Sequence, residues 1–460
     1  MRSSLLVLLV AACASPPARR APPRPPAPPP AVVADRVPFG PEERAAELVE
    51  MRDALRDVYA HLETKQSQWG ISLHEMFERY EPKIRAAETW TDYEAVMVAF
   101  ISELHDGHIQ WRRKRATTEA KRRIVRLGLD TVFVGDELIV SNVWPGANTE
   151  RAGLAVGDKI VAIDGDPVAD RAKKLSALRS WSQVDTARYN FAAGWPASRV
   201  RADKDPPARV LARERVDGTK DTLSIVPETT PRPGVRPPPV ELQWRGDVAI
   251  LGVHSLKQRV AETRKLATAA FAQVFAKPNG LVFDLRDNDG GYEEGARAIV
   301  AQLVTGHVVG AHTRVRLSAQ ARAQQKLWRD LPEDPSNPGW SPLMPFAVDG
   351  VAPRPYAGKV AVVIDAGCMS SCETLALLLR ASGARIFGSR TAGSGGAPVT
   401  ITFARSGARL AIPARAAFDL GGEPIEGRGV TPDEPIAATR ADVIARRDAA
   451  LERAVDWVTH

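Results

Sequence analysis

From Pro239 onward the chain alternates buried-type strands with helical segments, and this most constrains how it can fold. Val248–Val253 reads as a strand and 261–275 as a helix. Gly280–Leu285 is a strand, Tyr292–Val304 a helix, Lys359–Ile364 a strand and Glu373–Arg380 a helix. Such alternation predicts a mostly parallel sheet with helices covering its faces. Residues 239–460 are therefore assigned to an α/β core. Residues 318–355 read as an insertion. Its later part, 330–355, holds Pro, Gly, Trp340 and Phe346 with little periodicity and is expected to be a functional or mobile loop.

Residues 41–121 read as an N-terminal helical domain. Leu48, Met51, Leu55, Tyr59 and Leu62 recur at three- and four-residue steps, which makes one apolar stripe. Thr91-Asp92-Tyr93-Glu94 has a capping-box pattern and predicts the start of a second helix. Residues 122–230 carry short β-type runs punctuated by Gly and Asp. The stretch 140–168, with Ala152-Gly153-Leu154, Gly157-Asp158 and Asp164-Gly165, resembles a PDZ domain of the bacterial protease type. That resemblance implies capture of a peptide tail as an added strand, with its carboxylate on the loop Leu127-Gly128-Leu129. A plain strand entry is the alternative for that loop. Residues 180–206 look like an insertion within this domain.

Arg2, an apolar run from Leu5 to Ala12 and small residues before Cys13 read as a signal peptide over 1–12, since eight apolar residues are too few to span a bilayer. Val10-Ala11-Ala12-Cys13 resembles a bacterial lipobox, which implies cleavage before Cys13 and lipid attachment to its sulfur. Ala14 follows, without the aspartate of inner-membrane retention. The expectation is an outer-membrane lipoprotein of the cell envelope facing the periplasm, or an exported protein. Nine prolines between Pro16 and Pro30 make the 13–40 linker a semi-rigid tether.

Composition narrows the function classes. The chain is 44% hydrophobic and 25% charged, ordinary for a globular protein. Its net charge of +7 is small for 460 residues and partly concentrated in the linker, so no nucleic-acid partner is expected. Three cysteines exclude a disulfide scaffold and a four-thiolate zinc site. No cofactor and no metal are expected. A His105/His108 pair lacks an obvious third ligand.

The chemistry concentrates where Lys359–Ile364 runs through a small-residue turn into a Leu-rich helix. Ser370-Ser371-Cys372-Glu373 sits at that turn. Ser370 and Glu373 alone form a capping box. Equally, a serine at a strand-to-helix turn presents its hydroxyl beside free helix N-terminal amides, as a nucleophile needs. Three further motifs flank it: Phe283 to Gly291, ending in a Gly-Gly loop, before it, and Thr391-Ala392-Gly393 and Glu426-Gly427-Arg428-Gly429-Val430-Thr431-Pro432-Asp433 after it. Together these resemble the tail-specific, or C-terminal processing, family of serine peptidases over nearly all of 41–455. The resemblance implies a multidomain α/β protein: an N-terminal helical bundle, a PDZ-like β domain and a peptidase core of crotonase-like ββα superhelix.

One branch of that family uses a Ser-Lys dyad. Here Ser394 stands in the lysine's place and no lysine follows Lys359, so the dyad is excluded on residue types. The tricorn-like branch uses a histidine, and Asp106-Gly107-His108 matches its motif, with Ile109 where Thr or Ser is usual. The resemblance thus implies Ser370 as nucleophile, His108 as base and Glu426 as the group orienting the imidazole. His105 is the competing base. A base of ordinary imidazole pKa predicts loss of activity below about 6.5–7. The amides of Gly290 or Gly291 and of Ser371 are the candidate oxyanion donors. Cys368 and Cys372 bracket Ser370 and are either a disulfide or two buried thiols; a thiol nucleophile is disfavoured by the intact serine. The expected activity is membrane-tethered hydrolysis of protein or peptide tails. The alternative is a non-catalytic peptide- or ligand-binding lipoprotein that keeps the fold. Oligomeric state is not legible.

Overall fold

The computed structural model describes residues 36–113, 122–176, 179–201, 204–229, 237–277 and 279–460. The signal peptide read over 1–12, the Cys13 lipidation site and the Pro16–Pro30 tether lie outside them. Among the described residues no helix is long and apolar enough to cross a membrane.

The C-terminal core is a six-stranded sheet in the order Val240–Arg245, Val248–Val253, Leu281–Asp284, Val360–Ile364, Arg385–Gly388 and Glu434–Pro435. The first pair is antiparallel and the other four pairings are parallel. Alternation along each strand divides its side chains between two layers. Leu281, Phe283, Val360, Val362 and Ile364 face the helices Val260–Ala276, Glu293–Ala301 and Ser371–Ala381. Val282, Ala361 and Val363 face the opposite helix, Ala449–Thr459, through Ala454 and Val458. Both faces are covered, which is why these strands read as continuous apolar runs.

Residues 330–355 are not all loop. Met344–Asp349 is a strand paired antiparallel with His307–Val315, which also pairs with Arg415–Phe418. Only Phe346 and Val348 of that strand are buried, too few to raise a periodic signal. The second N-terminal helix cap also differs from expectation. The helix is Trp90–Ser102, and Thr89 rather than Thr91 caps it, its Oγ1 accepting from the Asp92 amide at 3.1 Å.

The N-terminal helices do not close a core by themselves. Leu48, Met51, Leu55, Tyr93 and Phe100 share one cluster with Val399, Phe403, Leu410 and Ile412. Strand Gln110–Arg113 pairs with Ala408–Pro413, joining the two ends of the chain. This pairing carries the loop that precedes Gln110, and with it His108, onto the C-terminal half.

The middle unit is an antiparallel sheet ordered Leu129–Val134, Glu137–Val143, Lys159–Ile163, Arg209–Glu214 and Lys220–Ile225. Residues 180–206 are not a mere insertion in it. Phe191, Ala192 and Trp195 belong to its core, and helix Val184–Gly194 packs on the edge strand Leu129–Val134. Thr131 Oγ1 donates to the Ala192 carbonyl at 2.7 Å and accepts from Trp195 Nε1 at 2.9 Å. Those contacts are long-range in sequence, so no local pattern announces them.

Candidate active site

Ser370 ends the turn after strand Val360–Ile364 and immediately precedes helix Ser371–Ala381. Its backbone has φ 60° and ψ −120°, and its hydroxyl makes no capping hydrogen bond. A helix N-cap ordinarily lies in the extended region and spends its side chain on the helix amides. Ser370 does neither; of the capping box it forms with Glu373, the hydrogen bond made is that of the Ser370 amide to the Glu373 carboxylate. A non-glycine residue in this strained region is held there by its surroundings. The Ser370 amide donates to the Ser394 carbonyl at 2.9 Å and to Glu373 Oε2 at 3.0 Å. The sulfurs of Cys368 and Cys372 lie 2.21 Å apart in a disulfide spanning the turn, with both residues fully buried.

Glu373 is the hub below Ser370. Besides Ser370, it accepts from Thr391 Oγ1 at 2.6 Å, the Gly393 amide at 2.7 Å and the Ser394 amide at 3.1 Å. Burial pushes its carboxyl up to about 8, against the pull of these donors toward the charged form. The Thr391-Ala392-Gly393 motif is thereby explained as a loop tied to the helix that carries Ser370.

The Gly-Gly loop lies against the turn that carries Ser370. A Cβ on Gly290 would sit 2.6 Å from the Met369 carbonyl and 2.9 Å from both Ser370 Cβ and the Ser371 amide. Only glycine tolerates that approach at φ 85°. Asn288 pins the loop by accepting from the Gly290 amide and donating to the Val253 carbonyl, both at 2.9 Å. Gly290 therefore has its amide committed. The Gly291 amide, on an exposed residue, and the Ser371 amide, at the helix start, have no acceptor among the described residues. Ser371 Oγ is occupied elsewhere, donating to the Gly291 carbonyl at 2.7 Å.

His108 reaches the site on the turn between helix Trp90–Ser102 and strand Gln110–Arg113. Asp106 builds that turn: fully buried, it accepts from the His108 amide at 2.8 Å and from Tyr59 Oη at 2.9 Å. Ser180 and Ser182, in the segment that resembled an insertion, accept from the Asp106 and Gly107 amides at 2.6 and 3.1 Å. Ile109 turns into the N-terminal core. His108 Nδ1 lies 2.8 Å from Ser394 Oγ. Burial lowers its pKa to about 4, opposed by the nearby Glu426 charge and assisted by His61 and Arg415. Part of the residue stays open to solvent, which moderates that shift. His105 goes elsewhere, stacking on Trp69 with ring centroids 4.0 Å apart.

Glu426 is beside this histidine without being hydrogen-bonded to it. Its Oε2 accepts from the Gly395 amide at 3.1 Å, and its Oε1 lies 2.7 Å from Lys65 Nζ. The latter contact is an ion pair without a well-aligned hydrogen bond, and both side chains are buried, 0% and 1% exposed. Lys65 comes from helix Leu62–Trp69, some 300 residues before Ser370, and nothing in the sequence flagged it. Removing one member of a buried pair strands the other charge, at a cost of about 3–5 kcal/mol. Lys65→Met is expected to lower stability by that order in denaturant unfolding; an unchanged midpoint would show that the pair contributes nothing.

Among the described residues one group has metal-ligand spacing: His61, Asp106 and Glu426, whose ligand atoms lie within 4.8 Å of one another. Those atoms already have partners. Asp106 serves Tyr59 and His108, Glu426 serves Gly395 and Lys65, and His61 Nε2 lies 3.0 Å from the Gly395 carbonyl. The Lys65 ammonium is the cation of this cluster.

In the middle unit Leu127 and Leu129 are each 1% exposed, and Gly128 has φ 81°. The Leu127 amide donates to the Pro196 carbonyl at 2.9 Å. Helix Val184–Gly194, which covers the adjoining strand, and its N-cap also touch the C-terminal core: Gln183 and Thr186 donate to the Thr391 and Ala392 carbonyls at 3.0 and 3.1 Å.

Residues 247–436, which contain the Ser370 turn, the Gly-Gly loop and Glu426, match the model of peptidase family S41. That segment is similar to a family S41 peptidase domain. S41 is a serine-type hydrolase family. The chain also shares its fold with solved structures at low identity. Mature CPAF complexed with lactacystin is 15% identical, with TM-score 0.67, covering 91% of this chain and 98% of that one. Mature CPAF solved separately is 16% identical, with TM-score 0.68, covering 91% and 97%. A peptidase-like structure from Parabacteroides merdae ATCC 43184 is 14% identical, with TM-score 0.52, covering 92% and 98%. A search of curated proteins gave no match to this chain.

Proposed function

We propose that this S41 peptidase hydrolyses peptide bonds in protein or peptide tails by a Ser-His mechanism. The observation that carries the reading is the strained Ser370, its hydroxyl free of capping, beside a histidine loop joined to it through Ser394. In this scheme Ser370 Oγ attacks the scissile carbonyl while His108 Nε2 takes the hydroxyl proton. The Gly291 and Ser371 amides stabilise the oxyanion. The imidazolium returns the proton to the leaving amine, and a water activated the same way releases the acyl group. Glu426 acts at one remove, as a buried negative charge favouring the imidazolium.

Tail recognition falls to the middle unit, read as a PDZ-like domain with Leu127-Gly128-Leu129 at the carboxylate end of its groove. The test pairs a fluorophosphonate probe, which should label the chain, with matched free-acid and C-terminally amidated peptides. Faster cleavage of the free acid supports tail recognition, and equal rates remove it. No labelling and no cleavage leave the non-catalytic receptor as the better account.

Cys13 is proposed to carry the lipid that holds the protein at the envelope membrane. Cys13→Ser is expected to shift the protein from the detergent phase to the soluble fraction. Unchanged partitioning would end that reading.

A further inference from the structure

Ser394 occupies a junction that the family resemblance does not assign. It is fully buried. Its carbonyl accepts from the Ser370 amide at 2.9 Å, its own amide donates to Glu373 Oε2 at 3.1 Å, and its Oγ lies 2.8 Å from His108 Nδ1. A Cβ on Gly107 would stand 2.8 Å from that same Oγ. The glycine beside His108 is thus the space into which the Ser394 hydroxyl fits.

We propose that Ser394 is the positioning residue of the histidine, holding His108 in the tautomer protonated on Nδ1. The proton logic is direct. A hydroxyl oxygen accepts the Nδ1–H, which leaves the Nε2 lone pair free for a proton from a nucleophile. Without that acceptor the ring is free to place its proton on Nε2, where it cannot act as a base toward Ser370. Glu426, expected from the resemblance to orient the ring, has its oxygens on Gly395 and Lys65 instead. Its charge still reaches the imidazole, while the hydrogen bond that sets ring orientation belongs to Ser394. One residue therefore ties base and nucleophile together, its side chain on His108 and its main chain on Ser370.

The kinetic arm of the test rests on the peptidase reading above; the spectroscopic arm does not. In the full chain with ¹⁵N-labelled histidines, the His108 signals, assigned by their loss in His108→Gln, are expected to report protonation on Nδ1 at pH 7. Protonation on Nε2 in the unmodified protein would overturn the proposal without any variant. Ser394→Ala is expected to shift those signals toward Nε2–H and to lower kcat by about 10- to 100-fold, the loss of one or two ordinary hydrogen bonds' worth of transition-state stabilisation, with KM changed little. Gly107→Ala places a methyl against the Ser394 hydroxyl and should reproduce both effects. Ser394→Thr retains the hydroxyl and should restore much of kcat. Unshifted nitrogen signals with kcat within about twofold of the parent in Ser394→Ala would refute the role. If the parent itself neither cleaves peptides nor takes the fluorophosphonate, the peptidase reading fails, and the nitrogen signals alone decide the tautomer.

Discussion

Replacing Ser370 by alanine is expected to abolish peptide hydrolysis, with a fall in kcat of roughly a million-fold, as when a serine peptidase loses its nucleophile. The same variant should lose all fluorophosphonate labelling. Stability should barely change, and the structure says why. Serine and alanine share the Cβ that strains φ 60°, so the backbone cost is common to both. The hydroxyl makes no capping bond, so less than the ~1 kcal/mol of a lost cap is forfeited. The Ser370 amide keeps its bonds to Ser394 and Glu373. Residual turnover near the parental level, with labelling intact, would place the nucleophile elsewhere.

His108→Ala should cost nearly as much, about 10⁴-fold or more in kcat, because a base and its nucleophile act as a unit. His105→Asn is the matched control. Asparagine tolerates the positive φ of 48° at that position, and the change removes only the stack on Trp69. It should retain most activity. Loss at His105 with retention at His108 would exchange their roles.

The pH profile separates the two histidines further. The base must be neutral to accept the Ser370 proton, so kcat/KM falls as pH drops through its folded pKa. An unperturbed imidazole predicts that limb near 6.5–7. The enclosure of His108 moves it down toward about 4. Activity should therefore persist at pH 5.5, where an ordinary histidine base would be largely protonated. The same depression bears on stability. The unfolded chain binds the proton near 6.5 and the native state only near 4, so this residue's contribution is present above 6.5 and is lost as pH falls through about 4. An acid limb at 6.5–7 would mean that the base is more open to water than His108 is here.

Ser370 and His108 stood out as candidates because each sits in a short motif whose chemistry is local. Ser370 follows a buried strand and begins a helix, and apolar periodicity alone announces both elements. His108 follows Asp106-Gly107, whose carboxylate and missing Cβ serve contacts within two residues or directly across the site. The sheet was legible for the same reason: strands covered on both faces write their burial into consecutive residues. Short or one-sided elements such as Met344–Asp349 do not, and segment 180–206 gained its meaning only from distant partners.

By itself, then, the sequence determined the α/β core, the strand-to-helix turn at Ser370 and the absence of a lysine at position 394. It left open what stands beside the imidazole. Only the tertiary structure put Ser394 on His108, paired Glu426 with Lys65 and closed the N-terminal core with strands from beyond residue 397. The physical reason is range. Periodicity and capping report interactions within a few residues, whereas a hydrogen bond 286 residues apart or a buried ion pair between Lys65 and Glu426 depends on which surfaces the packed core brings together. A lysine was excluded by looking downstream of the serine, while the lysine of this site arrives from a helix near the other end of the chain.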